Sequence, residues 1–419
     1  MKFLHAADIH IDSPLKGCSF EDASAADRLR LATRTALSNL IAAAIEREVD
    51  FIIIAGDLFD GAWQDMRTGL WTAEQFRRLR EHKIRVYLIR GNHDALSVVA
   101  PAIRWPEDVV HEFSTKKPET ITDERSGAVL HGQSFSERKI LDDMAKRYPA
   151  KVGGAFNIGV LHTSLSGENP EHDTYAPTSP EVLASLGYDY WALGHIHARR
   201  IIRTDPYIVY PGNTQGRHIK ETGPKGCYLL TVGSDKVPHC EFLETDVVRW
   251  ETLDIALENG DEETDLFDQL SKQFERLIAS ASGKPVIARM SLSGPCRVHQ
   301  QLSNAQSRLR ILAEIRNQAN DFAGELWLEK IDCLTRPAVD IEELRQGGDI
   351  VGQLLRSFEE VRGDELELMQ LQPHFQTLLA KVGDALEDEA LDFSNTSELR
   401  RLLSQSENLL LAELLGGEA

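Results

Sequence analysis

Five apolar, β-prone runs in the first half of this 419-residue chain each end in a residue that can bind a metal. Lys2 to Ala7 runs into Asp8-Ile9-His10, and Phe51-Ile52-Ile53-Ile54-Ala55 into Gly56-Asp57-Leu58-Phe59-Asp60. Val86 to Ile89 leads to Gly91-Asn92-His93-Asp94, Ile158 to Leu161 to His162-Thr163, and Tyr190 to Leu193 to Gly194-His195-Ile196-His197. Uninterrupted apolar runs of this length suit strands buried on both faces. Sites in open α/β sheets form beyond the carboxyl ends of their strands. The pattern therefore predicts one site, gathered from distant sequence at one edge of a sheet.

The ligand types define the chemistry. Carboxylates, imidazoles and one side-chain amide are the donors of a two-metal site, and such sites hydrolyse phosphate esters. Two ions ~3.5–4 Å apart need a bridging group. Asp57 is the bridge in this reading, because the preceding Gly56 lets the backbone turn tightly. Asp8, His10 and His197 go to the first ion, and Asn92, His162 and His195 to the second. His195 and His197 lie on one side if their loop stays extended. Mixed nitrogen and oxygen ligands favour manganese, with iron, zinc or magnesium as alternatives. His93 follows a ligand and should face the phosphate, to stabilise charge or protonate the leaving oxygen. Asp94 would hold its other ring nitrogen and keep it protonated. The plainer alternative is that His93 and Asp94 cap a turn. His5, inside the first strand, and His131 read as structural.

The motif set resembles the calcineurin-like metallophosphoesterase superfamily. His5-Ala6-Ala7-Asp8-Ile9-His10, Gly56 to Asp60 and Gly91 to Asp94 are most similar to SbcD-type DNA repair nucleases, in the YhaO-like branch. Tyr210-Pro211-Gly212-Asn213 and Glu221-Thr222-Gly223-Pro224-Lys225-Gly226 also look like that group. The resemblance covers about residues 1 to 335. It implies a four-layer αββα sandwich, two manganese ions, cleavage of DNA phosphodiesters, dimerisation through helices of the catalytic domain, and a partner ATPase of the SMC-like coiled-coil (SbcC) type. In archaeal and eukaryotic relatives the second motif ends in a histidine that helps set exonuclease action. Here that place is Asp60, as it often is in bacterial relatives.

The expected organisation has three parts. Residues 1–246 alternate strands with helices (Ala26 to Glu48, Met66 to His82), then turn to short strands from Ile201 to Thr245, as in an antiparallel second sheet. Residues 247–337 read β-α-β-α-β, an α+β module. That module resembles the family's capping domain, the plainer alternative being a packing or dimerisation domain. Residues 338–419 form a helical, acidic tail with one stripe of Ile350, Val351, Leu354, Leu355, Phe358 and Val361. A second stripe holds Leu399, Leu402, Leu403, Leu409, Leu410, Leu414 and Leu415. Such stripes fit a hydrophobic partner, which the resemblance makes the coiled-coil base of the ATPase. The alternative is that they fold back on this chain.

Charge is the chief objection to a DNA substrate. The chain holds 46 basic and 66 acidic residues, net −20, whereas nucleic-acid binders are basic where they touch phosphate. Residues 340–419, with 6 basic and 18 acidic residues, carry −12 of that. Arg217 and His218 could track a phosphate backbone or be solvated surface, while the Arg77-Arg78-Leu79-Arg80 run reads as solvated helix surface. No apolar run approaches a membrane span, and the expected location is cytoplasmic. Cys18, Cys227, Cys240, Cys296 and Cys333 are scattered, which supports neither a zinc ribbon nor a disulfide framework. The leading expectation is a metal-dependent DNA nuclease, by family resemblance an exonuclease, in double-strand-break repair. The rivals are a metallophosphoesterase for nucleotides or other small phosphoesters, and a scaffold without catalysis.

Overall fold

The structure, a computed structural model, describes residues 1–13, 23–60, 65–97, 103–165, 175–338, 341–382 and 396–416. Met1–Trp250 forms one compact unit and Glu251–Ala419 another. The first unit runs β1 (Lys2–Ala6), α1 (Ala23–Glu46), β2 (Phe51–Ala55), α2 (Met66–Arg77), β3 (Arg85–Ile89), α3 (Asn92–Leu96) and β4 (Val110–Glu112). It continues with β5 (Glu119–Thr122), β6 (Val129–Gly132), β7 (Asn157–His162), α4 (Pro180–Ser185), β8 (Tyr190–Gly194), β9 (Arg200–Thr204), β10 (Tyr207–Tyr210), β11 (Gly226–Val232) and β12 (Pro238–Glu244).

These strands build two six-stranded sheets, β12-β11-β1-β2-β3-β4 and β5-β6-β7-β8-β10-β9. Side chains of a strand alternate between faces, and β2 shows the consequence. Phe51, Ile53 and Ala55 join Phe3, Tyr87, Ile158, Val160 and Tyr190 between the sheets. Ile52 and Ile54 face Leu37, Leu40, Ile41 and Phe76 of the outer helices. A third apolar layer sets Trp191, Leu193 and Tyr210 against Leu183 of α4. Three apolar layers between helices, sheet, sheet and helices make the αββα sandwich. Each buried large side chain contributes about 1.5–3 kcal/mol, so the strand ends that carry the expected ligands are anchored in buried sheet.

Two expectations about the sheets need correction. The strands that carry the expected ligands do not share a sheet: β1, β2 and β3 lie in the first, β7 and β8 in the second. Nor do the strands after Ile201 form a sheet of their own. β10 pairs parallel with β8 and antiparallel with β9, whereas β11 returns to pair antiparallel with β1. Short antiparallel hairpins look alike in sequence whichever sheet they extend.

The second unit contains β13 (Arg249–Ala256, which begins at the end of the first), α5 (Glu263–Ser280), β14 (Val286–Cys296), α6 (His299–Ser303), α7 (Ala305–Asn320) and β15 (Leu326–Pro337). The sheet order is β13-β14-β15, with β14 and β15 parallel. Leu266, Leu270 and Phe274 of α5 and Ile311 and Ile315 of α7 bury against it. Then come α8 (Ile341–Gln346), α9 (Ile350–Gly363), α10 (Glu365–Val382) and α11 (Thr396–Gly416).

The tail stripes meet each other. Leu368, Leu399 and Leu403 form a cluster with Phe358, Val361, Leu371 and Leu402, and Arg362 ties α9 to Glu407 of α11 at 2.8 Å. Thus much of the apolar surface expected to face a partner folds back on this chain. Ile350 and Leu366 stay 73% and 72% exposed. The side chains of Leu409 and Leu415, and all of Cys18, lie outside the described residues. The other four cysteines are free. Among the described residues no helix is long and apolar enough to cross a membrane.

Candidate metal centre

The loops after β1 and β2 run side by side. Asp8 N–H donates to Gly56 O and His10 N–H to Asp57 O, both at 3.0 Å. Asp8, His10 and Asp57 all take positive φ, at 52°, 46° and 52°, and His195 stands at 103°. Non-glycine residues in such backbone collect where function over-determines conformation. For His195 it also overturns the extended His-x-His geometry: the turn separates the two imidazoles. The His195 ring lies 5.3 Å from that of His162, and the His197 ring 5.2 Å from that of His10. The His195 backbone N–H donates to both Asp8 oxygens at 3.1 and 3.0 Å.

Two poles result. In the first, the ligand atoms of Asp8, His10 and His197 lie within 4.8 Å of one another. His197 Nδ1 is 2.6 Å from Glu221 Oε1. A carboxylate oxygen accepts, so this contact suits a proton on Nδ1, although the Arg217 guanidinium also lies 3.4 Å from that nitrogen; Nε2 faces His10 Nε2 at 3.3 Å. In the second pole, His162 Nδ1–H donates to Ala55 O at 2.9 Å. Its Nε2 faces Asn92 Oδ1 at 2.9 Å and Asp57 Oδ2 at 3.4 Å. In both poles imidazole nitrogens and oxygens converge, an arrangement that a proton or a metal cation between them satisfies. Nitrogens on one first-row ion at about 2.0–2.1 Å stand roughly 3–3.4 Å apart. The donors present therefore fit metal ions. Asp57 Oδ2, also 3.8 Å from His10 Nε2, stands between the poles. Among the described residues His10 Nδ1 has no hydrogen-bond partner.

Residues 1–199 match the calcineurin-like phosphoesterase family, and residues 250–336 the middle domain of metallophosphoesterase YhaO. The chain is 40% identical over 298 residues to the uncharacterized metallophosphoesterase YhaO of Bacillus subtilis (strain 168), covering 70% of this chain and 72% of that one. It belongs to the calcineurin-like metallophosphoesterases. More distant relatives are DNA double-strand break repair proteins named Mre11. The one from Methanocaldococcus jannaschii is 25% identical (68% of this chain, 75% of that one), and the one from Methanopyrus kandleri 23% (63% and 61%).

For a metallophosphoesterase centre, the glycines matter through what they lack. A Cβ on Gly56, whose φ is +95°, would come within 2.4 Å of His162 Nδ1; one on Gly91 would meet Asp57 Oδ1 at 2.2 Å. The glycine before Asp57 thus serves close approach as well as the turn.

Burial and charge oppose each other here. Burial pushes the Asp57 pKa up, but the charges of His162 and His10 outweigh it and hold it well below the carboxylate range. Burial disfavours the His162 cation, yet Asp57 and Asp8 push its pKa to about 9. The centre is negative enough to hold a cation on a buried imidazole.

His93 sits at the rim, its ring 4.8 Å from that of His10. Its expected partner is wrong. The Asp94 carboxylate accepts backbone N–H groups of Leu58 (3.2 Å), Phe59 (2.8 Å) and Gly91 (3.0 Å), and braces the two loops. Burial, with the Asp57 charge, raises its pKa to about 7. The group facing His93 Nδ1 is Asp60 Oδ1, at 3.4 Å. Burial opposes the charged form of His93, but Asp60 and Asp57 outweigh it and raise its pKa.

Arg217 also departs from expectation. Its side chain is only 12% exposed. The guanidinium reaches Ser13 Oγ at 3.2 Å, Asp60 at 3.8 Å and Glu221 at 3.6 Å, and so joins the centre rather than tracking a phosphate chain on the surface. His218 Nε2 lies 3.3 Å from Glu221. Glu221 and Asp60 contact this centre although neither is among the expected site residues. The structural readings of His5 and His131 agree with the structure: His5 is held by Tyr190 and Leu193, His131 by Thr120 and Asn157.

Proposed function

We propose that this chain is a manganese-dependent nuclease that cleaves DNA phosphodiesters in break repair, together with an SMC-like coiled-coil ATPase. The carrying observation is the pair of converging poles that share Asp57, with His93 at their rim. In this reading Asp8, His10 and His197 hold one ion and Asn92, His162 and His195 the other, with Asp57 between them. Bound there, the ions would supply Lewis-acid charge and lower the pKa of water. His93, kept charged by Asp60, donates a proton to the leaving oxygen. Asp94 fixes the loop that carries His93, and Arg217 holds Asp60 and Glu221 in place. The names of the Mre11 relatives support DNA as substrate. In the same reading the exposed Ile350, Leu366, Met369 and Leu414 of the tail meet the ATPase.

A second reading, hydrolysis of nucleotides or other small phosphoesters, is favoured by the net charge of −20 and by the withdrawal of Arg217 into the centre. One assay separates the two. End-labelled single- and double-stranded DNA and a chromogenic phosphodiester are incubated with manganese and either wild type or His93→Ala. Stepwise DNA shortening that disappears in the variant supports the nuclease. Turnover of the small diester with DNA intact, both alone and with the ATPase added, rejects it for the second reading.

A further inference from the structure

Glu221 is buried to 5% exposure beside the centre, yet the reaction leaves it without a task. Oε1 takes the His197 contact at 2.6 Å. Oε2 accepts Asn213 Nδ2–H at 2.9 Å and the Arg217 backbone N–H at 2.7 Å. The two oxygens therefore do different things: Oε1 faces His197, with His218 Nε2 at 3.3 Å and the Arg217 guanidinium at 3.6 Å farther off, while Oε2 closes the turn from Asn213 to Glu221. Of the two imidazoles in the Asp8–His10–His197 pole, His197 alone is oriented through its far nitrogen among the described residues, since His10 Nδ1 has no partner there.

We propose that Glu221 is the positioning residue of that pole: it locks His197 in the Nδ1–H tautomer, so that Nε2 faces the ion. The inference rests on the metal-centre reading above. A carboxylate behind a ligating histidine fixes its orientation and raises its basicity, and its loss costs about 10–100-fold in metal affinity. The plain alternative is that Glu221 only anchors the turn.

Glu221→Gln separates the two roles. The amide oxygen can keep the bonds from Asn213 and Arg217. The amide nitrogen then faces His197 Nδ1 as a donor, which forces the proton onto Nε2 and blocks the ion. Calorimetric titration of the metal-free full chain with manganese should find two ions in wild type. In Glu221→Gln one ion should weaken 10–100-fold, with the other within about twofold and the metal-free melting temperature nearly unchanged. Equal binding of both ions in variant and wild type overturns the proposal. So does equal weakening of both with a lower metal-free melting temperature, which marks a turn anchor. If wild type binds no ion, the metal-centre reading itself falls. A second measurement needs no variant of Glu221. Long-range ¹H–¹⁵N spectra of the histidine-labelled, metal-free wild-type protein, with His197 assigned by its loss in His197→Gln, should show the Nδ1–H tautomer. The Nε2–H tautomer overturns the proposal.

Discussion

His162 and His197 perform the same act with different support. Each turns Nε2 inward. Behind His162 stands the Ala55 carbonyl at the end of β2; behind His197 stands the Glu221 side chain on a turn. His162 is fully buried, whereas the His197 side chain is 26% exposed. A ligand braced by the backbone inherits the rigidity of the sheet and cannot be retuned by replacing its partner. A ligand braced by a carboxylate gains basicity, and its strength can be set by one residue. If both histidines hold ions as proposed, one pole is fixed by the fold and the other is adjustable by sequence.

Asp57 is common to both poles, so Asp57→Asn is the severest test of their separateness. It removes the charge between His10 and His162, and a direct donor should cost more than the about 100-fold ceiling of outer partners. Both ions should weaken, and phosphodiester turnover should fall by at least that factor. Calorimetry that finds either ion at wild-type affinity would show that the poles do not share Asp57.

On the fixed pole the brace can be reached only through neighbouring backbone. Gly56→Ala introduces a Cβ 2.4 Å from His162 Nδ1 at a residue with φ of +95°. Left-handed backbone costs an alanine about 1–2 kcal/mol, and the clash adds to it. A stability loss of about 2–4 kcal/mol is expected from urea unfolding of the metal-free protein. In the folded fraction the His162-side ion should weaken more than the other. Unchanged stability would mean that His162 can move away freely, and that the pole is not rigid.

The difference between the poles also explains what sequence could reveal. The proposed ligands stand directly after apolar strands, so period, composition and position in the chain all announce them. In the second unit the strands β13, β14 and β15 and the long helices α5 and α7 were readable from period, since Leu266, Leu270 and Phe274 repeat at helical spacing, whereas the five-residue α6 is too short to show one. Glu221 lies 24 residues beyond His197 on a turn without period, and only folding brings the two together. A lone glutamate among Lys220, Thr222 and Gly223 resembles any solvated turn. Asp60 and Asp94 flank the same space, and sequence proximity selected the wrong one: Asp94 follows His93, but the loop directs its carboxylate at backbone N–H groups. The tail stripes were visible as stripes, whereas whether they meet each other or another protein is not a property of periodicity.

Asp60 tests whether the rim is independent of both poles. It contacts His93 at 3.4 Å and accepts Ser13 Oγ–H at 2.8 Å. A hydrogen bond to a charged partner contributes about 1.5–3 kcal/mol, so Asp60→Asn should lower kcat roughly 10- to 100-fold while leaving both ion affinities in place. Ligand atoms of His10, Asp60 and His93 also lie within 4.8 Å of one another. Loss of an ion in Asp60→Asn would therefore make Asp60 part of the first pole instead.

His5 is the reference imidazole, buried in the same sandwich but facing no carboxylate. Its nitrogens meet Tyr190 Oη at 2.9 Å and Leu193 O at 3.1 Å. Burial lowers its pKa to about 3, with the Leu193 carbonyl resisting, whereas His162 rises to about 9 beside Asp57. The sign of the stability effect follows from proton counts. Below pH 6.5 the unfolded chain protonates this histidine and the folded chain does not, so stability falls with pH from 6.5 towards about 3. Between pH 7.5 and pH 6 the loss is roughly 0.8 kcal/mol, from the standard linkage of about 1.4 kcal/mol per pKa unit. His5→Gln lowers overall stability but should remove that part of the pH slope. The slope is read by comparing urea midpoints of the two metal-free proteins across this range. Equal slopes would mean that His5 gains a proton in the fold. A buried imidazole would then need no carboxylate to carry charge here, and Asp57 would not be what raises the His162 pKa.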